Sequence, residues 1–290
     1  MNFIKYRYLS FVFSAVLLIT AAFGLARYGL LFSLDFTGGS LLVISLKESV
    51  TTSELSALLK EKNLSVSRLQ KTGGGTFLIR FEGDKEKSEA ILKAIEEKYH
   101  GVQKLRFETV GPSFGRELLK KSLTALAVAI FLIFLYVARQ FHDKKFGLGA
   151  ILAMLHDNFI LLGSFSFLGH FLGVEVDTLF ITAALTTLSG SVHDTVVTFD
   201  YIRKQTSDFS SQKEIEAIAN KAINDTIVRN INNSLTIIFM LVATLLMGGE
   251  TIRWFAAALL IGTLLGTYSS TFLAVPLLVE IEKITRKKLK

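Results

Sequence analysis

Residues 189–200 read SGSVHDTVVTFD and close an apolar run that begins near Thr178. The run is long enough to cross a bilayer, yet it carries an ionisable pair, His193 and Asp194, among apolar side chains. Ionisable residues inside such a segment usually face the interior of a helix bundle or mark an ion pathway. We therefore interpret the rest of the chain as machinery built around Asp194.

Composition places the chain among integral membrane proteins. Half of its 290 residues are hydrophobic, the mean hydropathy is +0.46 and only two prolines are present. The absence of cysteine excludes disulfides, thiolate metal sites and a cysteine nucleophile. A net charge of +7 would suit nucleic-acid binding, but basic residues of membrane proteins gather on cytoplasmic flanks. We therefore expect a lipid bilayer, and no nucleic acid, as a partner.

Six apolar runs predict six transmembrane helices. They cover residues 9–25, 123–137, 146–168, 178–199, 231–247 and 255–279. The first run follows Lys5 and Arg7, an arrangement that signal peptides share. Because the run is longer than a typical signal-peptide core and no clear cleavage site follows it, we favour a retained helix over a signal peptide.

Between the first two runs lies a segment of soluble character, residues 33–121. Its pattern predicts strands at 41–46, 64–70, 76–81 and 102–110, helices at 51–63 and 84–100, and a turn at 73–75. This β-α-β-β-α-β order is typical of a ferredoxin-like domain.

The predicted fold is a polytopic α-helical membrane protein. It comprises a cytoplasmic N-terminus with the first helix (1–32), an extracytoplasmic α+β ferredoxin-like domain (33–121), and a five-helix bundle with a cytoplasmic tail (122–290). The two short outer connections, 169–177 and 248–254, hold only Arg253, whereas the segments assigned to the inside are rich in Lys and Arg. This asymmetry predicts cytoplasmic N- and C-termini. Residues 201–228 should hold an amphipathic helix on the cytoplasmic side, with Ile215, Ile218, Ala219 and Ala222 inward.

Polar residues recur along the predicted fourth helix. Ser191, Asp194 and Thr198 lie three or four residues apart and therefore share one face. Counted from the outer ends of their helices, Asp194 and Arg229 lie at depths within roughly 5 Å of each other, so the two side chains can pair.

An alternative interpretation of these polar stripes is interhelical packing, with Ser191, Thr198 and the asparagines acting as hydrogen-bonding contacts. A carboxylate is harder to explain in this way. Ionised Asp at the bilayer centre costs about 2.5 to 3.5 kcal/mol on insertion scales, and asparagine would pack without that penalty. We therefore interpret Asp194 as functional.

The sequence does not favour catalysis. His156, Asp157, His193 and Asp194 resemble a ligand set for a divalent ion, but adjacent residues diverge by about 100° on a helix, so each helix can direct only one of its pair at a shared point. The chain contains no His-Glu-x-x-His pattern and no Gly-x-Ser-x-Gly elbow around a nucleophile. We expect no metal, no cofactor and no enzymatic activity.

Short motifs spread over nearly the whole chain resemble the SecD/SecF family of protein-export membrane proteins. They are DFTGG at 35–39, VGPSFGREL at 110–118, LHD at 155–157, SVHDTVVTFD at 191–200, GGET at 248–251 and GTYSS at 266–270. Any one motif is weak evidence. Their order and their placement relative to the predicted helices are together highly specific.

The resemblance implies membership of the resistance-nodulation-division superfamily of proton-coupled transporters, in a bacterial inner membrane. It implies a heterodimer with SecD that associates with the SecYEG channel and draws unfolded secretory polypeptide outward after the ATP-driven stage. The residues matching the family's proton pathway are Asp194 and Arg229, to which we add His193 and Asp157. Supporting positions at the helix interfaces are Ser191, Thr198, Asn233 and Ser234. Asp35, Gly38, Gly39, Gly111 and Pro112 match motifs at the base of the outer domain.

Some positions depart from the family pattern. The family commonly has Asn where this chain has His193, and Arg where it has Tyr201. Asn230 and Asn233 replace a threonine-based pattern, which leaves their part in proton relay open. Gly38-Gly39 and Gly111-Pro112 act either as connectors that let the outer domain rotate or as simple terminators of strand and helix. Two other functions stay open: a passive scaffold subunit, and a related exporter of small molecules or lipids.

Overall fold

The computed structural model describes residues 2–72, 75–141, 144–205 and 212–288, so positions 73 and 74 of the predicted turn lie outside the described residues. The chain forms two compact units. One contains Met1–Leu31 together with Thr124–Lys290, and the other contains Phe32–Leu123.

The first helix, α1 (Arg7–Tyr28), follows a short 3-10 turn at Ile4–Tyr6 and ends at Gly29. The second unit then begins with α2 (Leu34–Thr37) and a set of alternating elements. These are β1 (Gly39–Ser45), α3 (Thr52–Glu61), β2 (Arg68–Thr72), β3 (Thr76–Phe81), α4 (Lys85–Glu96) and β4 (Gln103–Val110). Apart from α2, the order is the predicted β-α-β-β-α-β.

The four strands form one antiparallel sheet in the order β2-β3-β1-β4. β2 begins four residues later than predicted because Asn63 adopts a left-handed conformation (φ 56°) and the Leu64 N–H still bonds to the Leu59 carbonyl, at 2.8 Å. Leu64 therefore closes α3 instead of starting a strand.

α3 and α4 each begin at a polar side chain that caps the helix. Thr51 and Glu54 form a capping box at the start of α3, and the Asp84 side chain accepts from the Glu86 and Lys87 N–H groups at the start of α4. Apolar side chains from the sheet and both helices make a closed core. Its fully buried members include Leu42, Ile44, Leu55, Leu59, Phe77, Ile79, Ile91 and Ile95.

The remaining chain is helical. It consists of α5 (Pro112–Gln140), α6 (Lys144–Leu172), α7 (Thr178–Lys204), α8 (Gln212–Met247), α9 (Glu250–Ser269), a π segment (Ser270–Ala274) and α10 (Val275–Lys288). Among the described residues, five helices are long and apolar enough to cross a membrane. They are Ile4–Tyr28, Pro112–Gln140, Lys145–Leu172, Glu214–Met247 and Ile252–Thr285.

The predicted fourth crossing, residues 178–199, is not among those five. It forms one unbroken 27-residue helix, α7, but Thr, Ser, His and Asp side chains lower its hydropathy. Length and composition alone therefore identify five of the six predicted crossings, and the crossing by α7 stays a prediction.

The helix predicted within 201–228 is not separate from the fifth apolar run. Gln212–Met247 is a single helix of 36 residues, since no glycine or proline interrupts it. At 1.5 Å per residue it is about 54 Å long, well beyond a hydrocarbon core of about 30 Å. Its first turns bury Ile215, Ala219 and Ala222, as the pattern predicted.

Ion pairs hold one end of the helical unit together. Arg7 of α1 lies 3.2 Å from Glu216 of α8 and 2.7 Å from Glu280 of α10. Lys145 of α6 lies 2.7 Å from the buried Glu282 of α10. The start of α1, the starts of α6 and α8 and the end of α10 therefore lie at the same end of this unit.

Candidate functional site

The most deeply buried carboxylate of the predicted site is Asp157 on α6, which is 2% exposed. One oxygen, Oδ1, lies 2.9 Å from the His156 Nδ1. The other, Oδ2, accepts hydrogen bonds from the Ser191 hydroxyl at 2.6 Å and from the Ser269 hydroxyl at 2.5 Å. These hydroxyls belong to α7 and α9, so the carboxylate joins three helices. Such bonds offset the cost of burying a charged group.

Asp194 occupies a different environment on the same helix as Ser191. It is half-buried and lines a cavity of about 540 Å³ between α7, α8 and α9. His193, Asn233 and Ser234 lie on the polar part of the cavity wall, and Ile237, Met240, Leu241 and Leu259 make the apolar part. A concave, mostly apolar space with a few polar groups is the usual form of a functional site in a helix bundle.

Close packing of α7 on α9 forms one wall of this cavity. A Cβ added to Gly262 would lie 2.1 Å from the Thr187 Cγ2, and one added to Gly266 would lie 3.3 Å from the Ser191 Cα. The first distance excludes any side chain unless the helices shift, and the second is a tight contact. The two glycines therefore let α7 approach α9 closely at the level of the polar residues.

The direct pairing of Asp194 with Arg229 that depth had suggested is not found, although the structure describes both residues. Arg229 is exposed on α8 and acts on Asp194 only through the longer-range electrostatic field. The buried stripe of α8 at this level consists of Thr226, Asn230 and Ser234. One residue along a helix is a rotation of about 100°, so the stripe that brings Asn230 inward directs Arg229 away.

Of the predicted supporting residues, Ser191, Thr198 and Ser234 contact neighbouring helices. Asn233 is exposed and lines the cavity. The Thr198 hydroxyl on α7 lies 3.3 Å from the Thr226 hydroxyl of α8, and the Asn230 amide nitrogen lies 3.5 Å from Thr198. The Thr267 hydroxyl of α9 donates to the Ser234 hydroxyl of α8 at 2.7 Å. All three contacts fit the interhelical packing interpretation of these polar side chains.

The motifs at 35–39 and 110–118 meet within the Phe32–Leu123 unit. Gly38 has φ 72° and Gly39 has φ 107°, a range that favours glycine. Pro112 is the first residue of α5, and a Cβ on Gly38 would lie 2.7 Å from its Cα. A Cβ on Gly115 would lie 3.0 Å from the Gly38 nitrogen. Asp35 lies in α2, where its N–H donates to the Ser33 hydroxyl. Gly38 thus packs tightly on the start of α5.

Periodicity did not identify Ser269, Gly262 or Thr267 as site residues. A signal was present, because Gly262 and Gly266 are spaced four apart, the small-xxx-small arrangement of closely packed membrane helices. Among the described residues, no group of three or more His, Asp or Glu side chains is arranged to hold a metal ion.

Residues 89–284 match the family model for the C-terminal region of the protein export membrane protein SecD/SecF. Curated relatives align over almost the whole chain. The protein translocase subunit SecF of Thermobaculum terrenum is 36% identical, over 97% of this chain and 94% of its own length. The same subunit of Anaerolinea thermophila is also 36% identical, over 96% of this chain and 93% of its own length.

A solved structure also has this fold. The crystal structure of SecDF, a translocon-associated membrane protein from Thermus thermophilus, superposes with a TM-score of 0.85 at 30% identity. The match covers 98% of this chain and 39% of that one, so the chain spans well under half of the SecDF polypeptide. A second SecDF structure, in a super-membrane-facing form, superposes over 99% of this chain with a TM-score of 0.71. With the family model and these relatives in agreement, the chain belongs to the SecD/SecF family of protein-export membrane proteins.

Proposed function

We propose that this chain is a subunit of the Sec protein translocase that uses the proton gradient to promote late, ATP-independent export of polypeptides. The observation that carries the proposal is Asp194, a carboxylate that lines a cavity inside a bundle of membrane-length helices. The translocase names of the relatives support the wider setting. Asp194 carries the proton, and the nearby His193 and Arg229 influence its charge electrostatically.

The available driving force is sufficient for this task. One proton moving down 100 mV releases about 2.3 kcal/mol, which biases a two-state equilibrium roughly fiftyfold. A change of charge on Asp194 alters the cavity between α7, α8 and α9, whose walls meet through small side chains. Repacking of α7 against α9 is then the movement that the gradient drives.

The proposed partners follow from the same family. The name of the relative SecDF combines SecD and SecF, and this chain matches 39% of that polypeptide. We assign the complementary part to a separate SecD chain and expect the pair to associate with the SecYEG channel and with unfolded secretory polypeptide. Six crossings of a bacterial inner membrane would place both termini in the cytoplasm and the ferredoxin-like domain, residues 33–121, outside.

A passive scaffold subunit is the second candidate. The observation that favours it is the network of interhelical hydroxyl contacts at Ser191, Thr198 and Ser234, which hold helices together without any transported charge. A scaffold needs those contacts but not the titration of Asp194. The two functions therefore make different predictions for a variant that removes only the charge.

Asp194→Asn tests the proposal in vesicles that contain the full complex with its SecD partner. After ATP is depleted, gradient-driven export should fall at least about tenfold, because asparagine keeps the shape of the side chain but cannot carry a proton. Asp225→Asn is the matched control. It removes an exposed carboxylate of α8 outside the cavity and keeps an oxygen to accept the Tyr201 hydroxyl.

Copurification of SecD separates the two functions. If Asp194→Asn retains its partner and loses export, the charge itself is needed. Export by Asp194→Asn at the parent rate would exclude Asp194 as the proton carrier. Joint loss of the partner and of export would favour the scaffold.

A further inference from the structure

Asp157 is surrounded by hydrogen-bond donors and closed off from the cavity. Both hydroxyl donors, Ser191 and Ser269, bond to Oδ2, and His156 lies against Oδ1. No Lys or Arg side chain among the described residues pairs with it, and it is not part of the cavity wall. Its titratable neighbours are His156 on α6 and Tyr268 on α9, whose hydroxyl donates to the Ser10 carbonyl at 2.9 Å.

The two serines that bond to Asp157 lie next to Asp194 on α7 and next to the π segment after α9. Ser191 precedes Asp194 by three residues on α7, about one helical turn, and contributes to the cavity wall. Ser269 is the last residue of α9, directly before the π segment Ser270–Ala274. Single-turn π segments within longer helices are frequent at functional sites. Asp157 thus bonds to α7 next to the proposed proton carrier and to α9 where its hydrogen-bond pattern changes.

We propose that Asp157 is a positioning residue whose two serine bonds hold α7 against α9 and thereby place Asp194 in the cavity. This role differs from the charge-carrying one predicted from the sequence. A charge carrier needs a route for protons, whereas Asp157 is sealed and Oδ2 already accepts two hydrogen bonds. The inference rests on the proposed function of Asp194.

Asparagine separates the two roles chemically. In Asp157→Asn the amide oxygen can accept both serine hydroxyls, and the amide nitrogen then faces His156 Nδ1 as a donor. The helix contacts are kept and the titratable carboxyl group is lost. Asp157→Ala removes both the helix contacts and the carboxyl group. A Ser191→Ala/Ser269→Ala double variant removes the contacts and keeps the carboxylate.

The experiment uses the full complex in lipid vesicles with two measurements. The first is gradient-driven export. The second is infrared titration of the Asp194 carboxyl band, which is identified by its loss in Asp194→Asn and reports the surroundings of that side chain. Asp157→Asn should keep export within about threefold of the parent and leave the Asp194 midpoint in place. The double serine variant and Asp157→Ala should lower export about tenfold and shift the midpoint.

Two results would overturn the inference. If Asp157→Asn lost export as completely as Asp194→Asn, Asp157 would carry charge. If the double serine variant kept both export and the Asp194 midpoint, the serine bonds would not position α7. The serine variant also keeps the test decisive should Asp157→Ala fail to fold. Normal export by Asp194→Asn would refute the proposed function but not this inference. The infrared band of Asp194 in the parent and in the Asp157 and serine variants would still show whether Asp157 positions that side chain.

Discussion

At the scale of single residues, the contact between Gly262 and Thr187 sets how closely α9 approaches α7. A methyl group on residue 262 would overlap the Thr187 Cβ and Cγ2, at 2.6 and 2.1 Å. Threonine is β-branched and cannot rotate its methyl group away freely. We expect Gly262→Ala to lower the free energy of unfolding by about 1 to 3 kcal/mol, measured by thermal unfolding of the chain in detergent.

Gly190→Ala is the matched control for that substitution. It adds the same methyl group to α7, at a position where nothing lies within 4 Å of the new atom. Its stability should be unchanged or slightly higher, because alanine favours a helix over glycine. Thr187→Ser removes Cγ2 and should rescue part of the Gly262→Ala loss. Equal effects of Gly262→Ala and Gly190→Ala would contradict the packing seen here.

The limits of sequence-based prediction are clearest at this scale. The period of α7 placed Ser191, Asp194 and Thr198 on one face, and the structure indeed directs them toward neighbouring helices. Periodicity could not decide between Arg229 and Asn230 as the inward residue of α8, because one position changes the direction by about 100°. The bond from Ser269 to Asp157 joins residues 112 positions apart, which depends on how α9 packs on α6.

At the scale of elements, the bounds of helices and strands were predicted well where the local sequence signal is strong. The predicted helix starts at 51 and 84 lie within one residue of the observed ones, where Thr51 and Asp84 cap α3 and α4, and the predicted strand at 76–81 coincides with β3. Signals that depend on the surroundings were harder to interpret. The left-handed Asn63 moved β2, and the lack of a helix breaker merged two predicted helices into α8.

The Phe32–Leu123 unit should lose stability in acid. The Thr51 N–H donates to Glu54, and this bond lowers the pKa of the Glu54 carboxyl, while the Lys62 ammonium lowers the pKa of Glu97. A depressed folded-state pKa contributes stability above the unfolded value of about 4.3, and this contribution is lost as the pH falls through the folded value. Because both carboxyls are exposed, solvent screening keeps the effect small.

Urea unfolding of the full chain, measured between pH 6 and pH 3, checks this expectation. The chain has no native cysteine, so a fluorescent label on Lys60→Cys reports α3 alone. Glu54→Gln keeps an acceptor for the Thr51 N–H but cannot titrate, and it should flatten the acid slope. Lys62→Met removes the partner of Glu97. If neither Glu54→Gln nor Lys62→Met changed the dependence of stability on pH, Glu54 and Glu97 would be excluded as its source.

At the scale of the whole molecule, the arrangement across the membrane decides whether Asp194 can respond to a gradient. Arg7 bonds to Glu280 near the end of the chain, so both termini lie at one end of the helical unit. An even number of crossings produces this arrangement. Five helices meet the criteria of length and hydropathy, and α7 would supply the sixth crossing.

Cysteine labelling tests the crossing by α7 directly, because no native cysteine competes for the reagent. Leu172 lies at the end of α6 and Gln205 caps the end of α7, and both are exposed. With a membrane-impermeant maleimide, Leu172→Cys should react from outside intact cells, whereas Gln205→Cys should react only after the membrane is opened. A helix that bridged one surface without crossing would label from the same side at both positions. In that case Asp194 would lie outside the field, and no gradient could act on it, since a potential does work only on a charge that moves through the membrane.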